Sequence, residues 1–383
     1  HWDSEDSNEL WIGHRDTFNQ KAPKDPSILS QLAKNSISYP GGHVEGFPDT
    51  FKQNFKAIYS AIENGDTSKG LFANFDDGLR EMTLCDAVVR SAREGRWIKA
   101  MFQIGTMADW FGVGLIEGIR ESERCGASGV QIYAADELDP RTVSKETVEN
   151  VRRTARDCHQ TVVSLCGELG GFGFEKPADN PEKIDYLKRV FELADTLDCH
   201  VVTTHIGVVP KDRSHPRYQI MLDAMGEMGR FAAKLGAYVA VETGPEAIGT
   251  LATFLDDCGE GVGINYDPAN LVMVGADDEV AAVATAGRRI VHTHAKDGKR
   301  LAPIAPADFY HKFAEGGLEW AATCGCCEET PLGEGSVRWK PYLKALQTIG
   351  YNGYLTIERE VKNGAEDIRM AVRFLNETIQ ALS

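Results

Sequence analysis

Four short stretches decide the fold: Tyr238-Val-Ala-Val-Glu242, Gly263-Ile-Asn-Tyr-Asp267, Ile290-Val-His-Thr-His294 and Tyr354-Leu-Thr-Ile-Glu358. Each is an apolar run of strand length that ends in a carboxylate or an imidazole. Runs of the same kind recur upstream at 100–105, 129–133, 161–166 and 200–205. With those at 237–242, 261–266, 289–294 and 354–358 they make eight. Amphipathic helical patterns fall between them, for example Ile184–Leu197, Ile220–Leu235 and Val337–Ile349. Strands alternating with helices imply βαβ units and a parallel sheet. Eight units over roughly 280 residues match a closed (β/α)8 TIM barrel. The alternative is an open doubly wound sheet, but no Gly-x-Gly-x-x-Gly follows an early strand. The expected fold class is therefore α/β: a TIM barrel over residues 99–383, preceded by a short, incomplete α+β segment over 1–98.

That first segment has a different character. It is rich in turn signals, such as Lys24-Asp25-Pro26 and Tyr39-Pro40-Gly41-Gly42-His43, and shows little strand signal. The spacing of Phe51, Phe55, Ile58, Tyr59 and Ile62 predicts an amphipathic helix from about Asp49 to Asn64. A second helix is expected from Asp77 to Glu94, with Leu79, Met82, Leu84, Ala87 and Val88 as its buried stripe. So short a piece is not expected to form a complete domain.

Composition narrows the function. The chain has 383 residues, 41 Lys+Arg against 57 Asp+Glu, and a net charge of −16. That balance speaks against nucleic acid or an anionic membrane as partner, and no apolar run is long enough to span a bilayer. Nine scattered cysteines, an odd number, suit a reducing cytosol better than a disulfide framework. The opening His1-Trp2-Asp3-Ser4 has neither an initiator Met nor a signal-peptide pattern, and is read as lying inside a longer protein. Cys324-Gly-Cys326-Cys327 lacks a second pair at zinc-site spacing and is expected to be structural or incidental.

In a barrel, chemistry collects at the C-terminal ends of the strands. Four consecutive strands deliver Glu242, Asp267, His294 and Glu358 to that rim. Three clustered carboxylates repel one another and raise each other's pKa; a divalent cation resolves the conflict. Three carboxylate oxygens, one imidazole nitrogen and open positions suit Mn²⁺, Mg²⁺ or Co²⁺ better than structural Zn²⁺. His205 ends the fourth strand and is expected to line the pocket. Glu168 lies in the glycine-rich stretch Gly167-Glu-Leu-Gly-Gly-Phe-Gly173, which suits a mobile loop. Trp110 either stacks on a substrate ring or packs.

The segments Val241-Glu242-Thr-Gly-Pro, Asn265-Tyr-Asp267-Pro-Ala-Asn270, His292-Thr-His294-Ala-Lys-Asp297 and Gly350-Tyr-Asn-Gly-Tyr-Leu-Thr-Ile-Glu358 resemble the xylose-isomerase-like TIM barrels. Members of that superfamily include sugar epimerases, hydroxypyruvate isomerases, inosose isomerases and dehydratases, and endonuclease IV. Matched residue by residue, the resemblance implies one divalent ion (Mn, Mg, Co or Zn) on Glu242, Asp267, His294 and Glu358. His292 is expected to face the barrel wall. The resemblance also implies that Glu242 and Glu358 move a proton alpha to a carbonyl, through an enediolate stabilised by the ion. Lys296 and Arg300 stand where relatives hold substrate oxygens. Asn270 stands where some epimerases carry a substrate-contacting histidine, a departure that speaks against ketohexose epimerisation.

Tyr39-Pro-Gly-Gly-His43-Val-Glu-Gly46 and the Gly78–Trp97 segment resemble the C-terminal end of glucose–fructose oxidoreductase/inositol dehydrogenase (Gfo/Idh/MocA) proteins. Those enzymes place a nucleotide-binding domain first. None is present in this sequence, so no NAD site is expected in it.

The expectation is a cytoplasmic, metal-dependent isomerase or epimerase of a small sugar or a polyol-derived ketone such as an inosose. A dehydratase of a keto-inositol is the alternative. An endonuclease-IV-like nuclease or a non-catalytic sugar-binding module stands further off. A homo-oligomer is compatible with this reading.

Overall fold

The protein is described here by a computed structural model covering residues 1–65, 72–95, 102–360 and 364–382. The chain divides into two compact units, His1–Arg96 and Trp97–Ser383. No helix among the described residues is long and apolar enough to cross a membrane.

The first unit holds more strand than its sequence suggests. Trp2–Asp3, Asp6–Ile12 and Gln20–Pro23 form a three-stranded antiparallel sheet. Its long helix, Phe47–Asn64, begins with Pro48 in the first turn, where a missing N–H costs nothing. It ends at Gly65, whose φ of 64° is the left-handed cap that glycine adopts freely. The second helix is Phe75–Glu94. The buried stripe expected on the second helix is corrected here. Phe51, Phe55, Tyr59 and Ile62 are exposed on the first helix, as are Met82, Leu84 and Val88 on the second. Only Ala61 and Ala87 are buried among the described side chains of the two helices; the Leu79 side chain lies outside the described set. A unit of this size has too little partner surface to cover two apolar faces.

The second unit is a closed barrel of eight parallel strands. They are β1 (Gln103–Met107), β2 (Gly129–Tyr133), β3 (Thr161–Cys166), β4 (Val201–Thr204), β5 (Tyr238–Glu242), β6 (Val262–Tyr266), β7 (Ile290–Ala295) and β8 (Tyr354–Ile357). Their order round the barrel follows the chain, and β8 pairs with β1 to close it. Strands covered on both faces read as unbroken apolar runs rather than alternations, which is why these segments stand out in the sequence. β1 begins later than its apolar run: its register sets Gln103 beside Tyr354. Residues 100 and 101 of the run lie outside the described residues. Backbone approach is close at β2, where a Cβ on Gly129 would meet Tyr354 and Val163 at 2.5 Å.

The β7–β8 connection is the elaborate one. Asp297–Arg300 pairs antiparallel with Cys327–Thr330. Between these strands runs a helix, Pro306–Thr323, broken at Gly317 (φ 60°). Buried Asp297 pins the connection: it accepts from the backbone N–H of Gly298, Gly333 and Val337 and from Trp339 Nε1, at 2.9–3.1 Å.

Candidate metal centre

Glu242 ends β5, Asp267 follows β6, His294 lies on β7 and Glu358 follows β8. Parallel strands in one barrel turn the same end to the same rim, so four residues distant in sequence meet. Each offers one donor atom, and those atoms lie within 4.8 Å of one another. All four side chains are buried. His294 Nδ1 stands 3.3 Å from Glu358 Oε2, 3.4 Å from Glu242 Oε1 and 3.9 Å from Asp267 Oδ2.

Each ligand-type group is held from behind. His294 Nε2 donates to Gln131 Oε1 at 3.1 Å, which leaves Nδ1 turned to the carboxylates. Gln131 also accepts from His292 Nε2 (3.1 Å) and Ser164 Oγ (2.8 Å). His292 is therefore corrected from a wall-facing residue to an interior one, beside His294 inside the barrel. Burial and the neighbouring His294 drive its pKa well below the ordinary imidazole range. Asp267 caps the helix Pro268–Val274, its Oδ1 accepting from the N–H of Ala269 (2.7 Å) and Asn270 (3.2 Å). Its Oδ2 is buried with no hydrogen-bond partner. Glu242 accepts from Asn270 Nδ2 (2.9 Å) and Asn265 Nδ2 (3.2 Å). Buried Lys296 donates to Glu358 Oε2 at 3.0 Å.

The electrostatics follow. Burial, with Glu242 and Glu358 nearby, pushes Asp267 up to about 7 against the pull of Lys296. Burial works against ionising Glu358, yet Lys296 and His294 hold it well below the usual carboxylate range. Burial likewise opposes charge on His294, and Glu358 and Glu242 override it, raising its pKa. An orphaned carboxylate oxygen and an imidazole nitrogen converging with two further carboxylates form a hard, oxygen-rich donor set. That set fits a divalent cation, with Gln131, Asn265 and Asn270 as the supports that hold such ligands in place.

The other expected site residues divide. His205 Nδ1 bonds Glu168 Oε2 at 3.0 Å, and its Nε2 lies 3.9 Å from Glu242 Oε1. Burial resists its charge, but Glu242 and Glu168 push its pKa up to about 10. Asn270 and Lys296 touch the cluster directly. Arg300 is not brought to it: exposed on the hairpin, its guanidinium turns back to the carbonyls of Ala302 and Ile304 at 3.4 Å. Trp110 is half-buried against the core. The glycine-rich stretch is held at both ends, at the first by the Glu168–His205 bond. Gly173 (φ 52°) packs on the Ile206 backbone, and Phe174 is fully buried and donates its N–H to the Ile206 carbonyl.

The sequence reading missed Gln131 and Asn265. Each is a polar residue in the middle of an apolar strand, and that incongruity was the available signal. It also missed the rim opposite β7 and β8. Tyr310, on the helix Pro306–Thr323, has its ring 6.4 Å from that of His205. A Cβ on Gly244 would collide with its hydroxyl. His311 lies 6.0 Å from the ring of Phe172. Beside them, Glu175 binds Arg217 at 2.8 Å, and Glu246 Oε2 is buried without a partner.

The family model of the xylose isomerase-like TIM barrel matches residues 119–378. Among solved structures, a xylose isomerase domain protein from Planctomyces limnophilus is 26% identical, with a TM-score of 0.58 over 74% of this chain and 98% of its own. The "probable 3-DHS dehydratase" of petrobactin synthesis from Bacillus anthracis is 18% identical, with a TM-score of 0.59 over 72% and 98%. The 3-keto-D-glucoside 4-epimerase of E. coli is 15% identical, with a TM-score of 0.55 over 72% and 99%. No curated protein matches the chain. A parallel eight-stranded ring, with its acidic residues and histidine gathered at one rim, and a family match over most of the chain agree: this protein belongs to the xylose isomerase-like TIM barrel family.

Proposed function

We propose that the barrel is a divalent-metal-dependent isomerase or epimerase of a small sugar or inosose. The observation that carries this reading is the convergence of Glu242, Asp267, His294 and Glu358, donor atoms within 4.8 Å, with Asp267 Oδ2 left without a protein partner. A divalent ion held there would polarise a substrate oxygen and stabilise negative charge on it. The chain's own groups supply the rest. One of Glu242 and Glu358 takes the proton from the carbon alpha to the carbonyl, and the electron pair moves onto the carbonyl oxygen. The other carboxyl, in its protonated form, returns a proton: to the opposite face of the same carbon for epimerisation, or to the former carbonyl carbon for isomerisation, the alpha-hydroxyl proton then passing to the oxygen that took up the electron pair. Asn265 and Asn270 fix Glu242 by two amide N–H donors. Lys296 keeps Glu358 ionised and so ready to accept. His205 and Tyr310, with their rings 6.4 Å apart, would contact substrate hydroxyls. Residues 1–98 are part of this proposal as the remnant of a polyol dehydrogenase, whose class of reaction yields the ketone that the barrel rearranges.

The test is exchange in D₂O over a panel of ketoses and inososes, followed by proton NMR. Deuterium at the alpha carbon with the wild type, and none with Glu358→Gln at unchanged circular dichroism, is the expected result. Water loss with a new ultraviolet-absorbing enone would instead assign a dehydratase. No exchange with any of the panel, in protein shown to hold its ion, would overturn the reading.

A further inference from the structure

The sequence Cys324-Gly-Cys326-Cys327 lies where the helix Pro306–Thr323 gives way to the hairpin strand Cys327–Thr330. Gly325, at φ 66°, turns the chain back on itself. The turn brings the Cys326 N–H to 3.4 Å from Cys324 Sγ, while the Cys326 thiol faces the Cys324 carbonyl at 3.5 Å. The neighbouring Cys326 and Cys327 thiols favour the thiolate of Cys324. All three residues are half-buried free thiols.

From this cluster we propose that Cys324 and Cys327 form a reversible dithiol modification site, oxidised to a disulfide by hydroperoxides. Chain geometry selects the pair. Adjacent Cα atoms are about 3.8 Å apart, short of the roughly 4.4–6.8 Å a disulfide spans, which disfavours Cys326–Cys327. Cys326 is engaged with the Cys324 carbonyl. Cys324 and Cys327 have the Cys-x-x-Cys spacing of redox dithiols.

The two sulfurs have opposite characters. Burial disfavours the Cys324 thiolate, and so does its place at a helix C-terminus. The N–H groups of Cys326 and Cys327, and their thiols, outweigh this and hold Cys324 below the usual thiol range. Burial, and the neighbouring Cys324, push Cys327 up to about 12. One sulfur is thus disposed to attack and the other to wait as a thiol.

The step balances as follows. The Cys324 thiolate attacks one oxygen of the hydroperoxide; the O–O bond breaks, leaving a sulfenic acid and an alkoxide that takes a proton to become the alcohol. The Cys327 thiol then loses its proton and its sulfur attacks that of Cys324. The S–O bond breaks, and the departing hydroxide takes up the proton as water. Two thiols lose two electrons and two protons; the hydroperoxide is reduced to alcohol and water.

The test uses the full chain and hydrogen peroxide at one equivalent. Thiol titration under denaturing conditions should fall by two from nine, peptide mapping should find a Cys324–Cys327 link, and a dithiol reductant should restore it. In Cys327→Ser, dimedone should trap a sulfenic acid at Cys324. Should that variant not fold, wild-type alkylation by iodoacetamide at pH 7 decides: Cys324 should label at least about tenfold faster than exposed Cys85. No loss of thiols, oxidation centred on Cys85, a link between other cysteines, or Cys85 labelling first would each overturn the proposal.

Discussion

At the scale of the residue, the decisive groups are those whose far side is occupied. His294 is fixed by the Gln131 carbonyl at one nitrogen and faces three carboxylates with the other. His294→Ala should weaken metal binding by at least about tenfold in a competition titration, and unchanged affinity would remove it from the ligand set. Gln131→Ala touches no donor atom directly. It should nonetheless cost about 10–100-fold in metal affinity, because it frees the imidazole to rotate and leaves Ser164 and His292 without their acceptor. The four clustered residues were legible in the sequence because a charged residue closing an apolar run has few other reasons to be there. Gln131 and Asn265 were not. A lone polar residue inside a strand reveals neither which way it points nor what stands opposite until the barrel closes.

At the scale of the element, strands and loops were legible to different degrees. Apolar runs give the strands of a doubly covered sheet almost directly. β1 slid from its run because pairing with β8, not local composition, sets its register. The connection from β7 to β8 was opaque: nothing local to Asp297 announces that it gathers backbone N–H groups from Gly333 and Val337 and the indole of Trp339. Asp297→Ala should leave those donors buried and unpaired, at a cost of roughly 3 kcal/mol. Urea unfolding would measure it; a loss below about 0.5 kcal/mol would mean the connection is held elsewhere. In the first unit, helical periodicity gave the helices but not their burial, since amphipathicity states which face is apolar and not whether anything covers it.

At the scale of the whole molecule, the excess of acid sets the response to pH. Glu246 is the cleanest probe: burial, then Glu175, push it up to about 8. A carboxyl raised on folding contributes stability that is fully present below its unfolded pKa and is lost as pH rises through the folded one. Stability should therefore fall between pH 5 and 8, by up to on the order of 1 kcal/mol per pH unit from this group. Glu246→Gln should flatten that slope; an unaltered profile of urea midpoint against pH would show the group is not buried in solution. A saturating divalent ion should raise stability by about 2.7 kcal/mol at a hundred times its Kd, and a chelator should reverse it.

The barrel closes where its eighth strand meets its first, and that seam has a consequence for biogenesis. On the ribosome, β1 must wait until the seven strands after it have been made before its outer edge finds a neighbour. Glu358, directly after the seam strand, is also the last of the four clustered residues to be synthesised. Until then β1 presents an unpaired edge, the kind of surface that chaperones shield and aggregates exploit. Because the final carboxylate arrives with the final strand, an ion bound there would be captured only at the moment in the nascent chain's life when the ring closes.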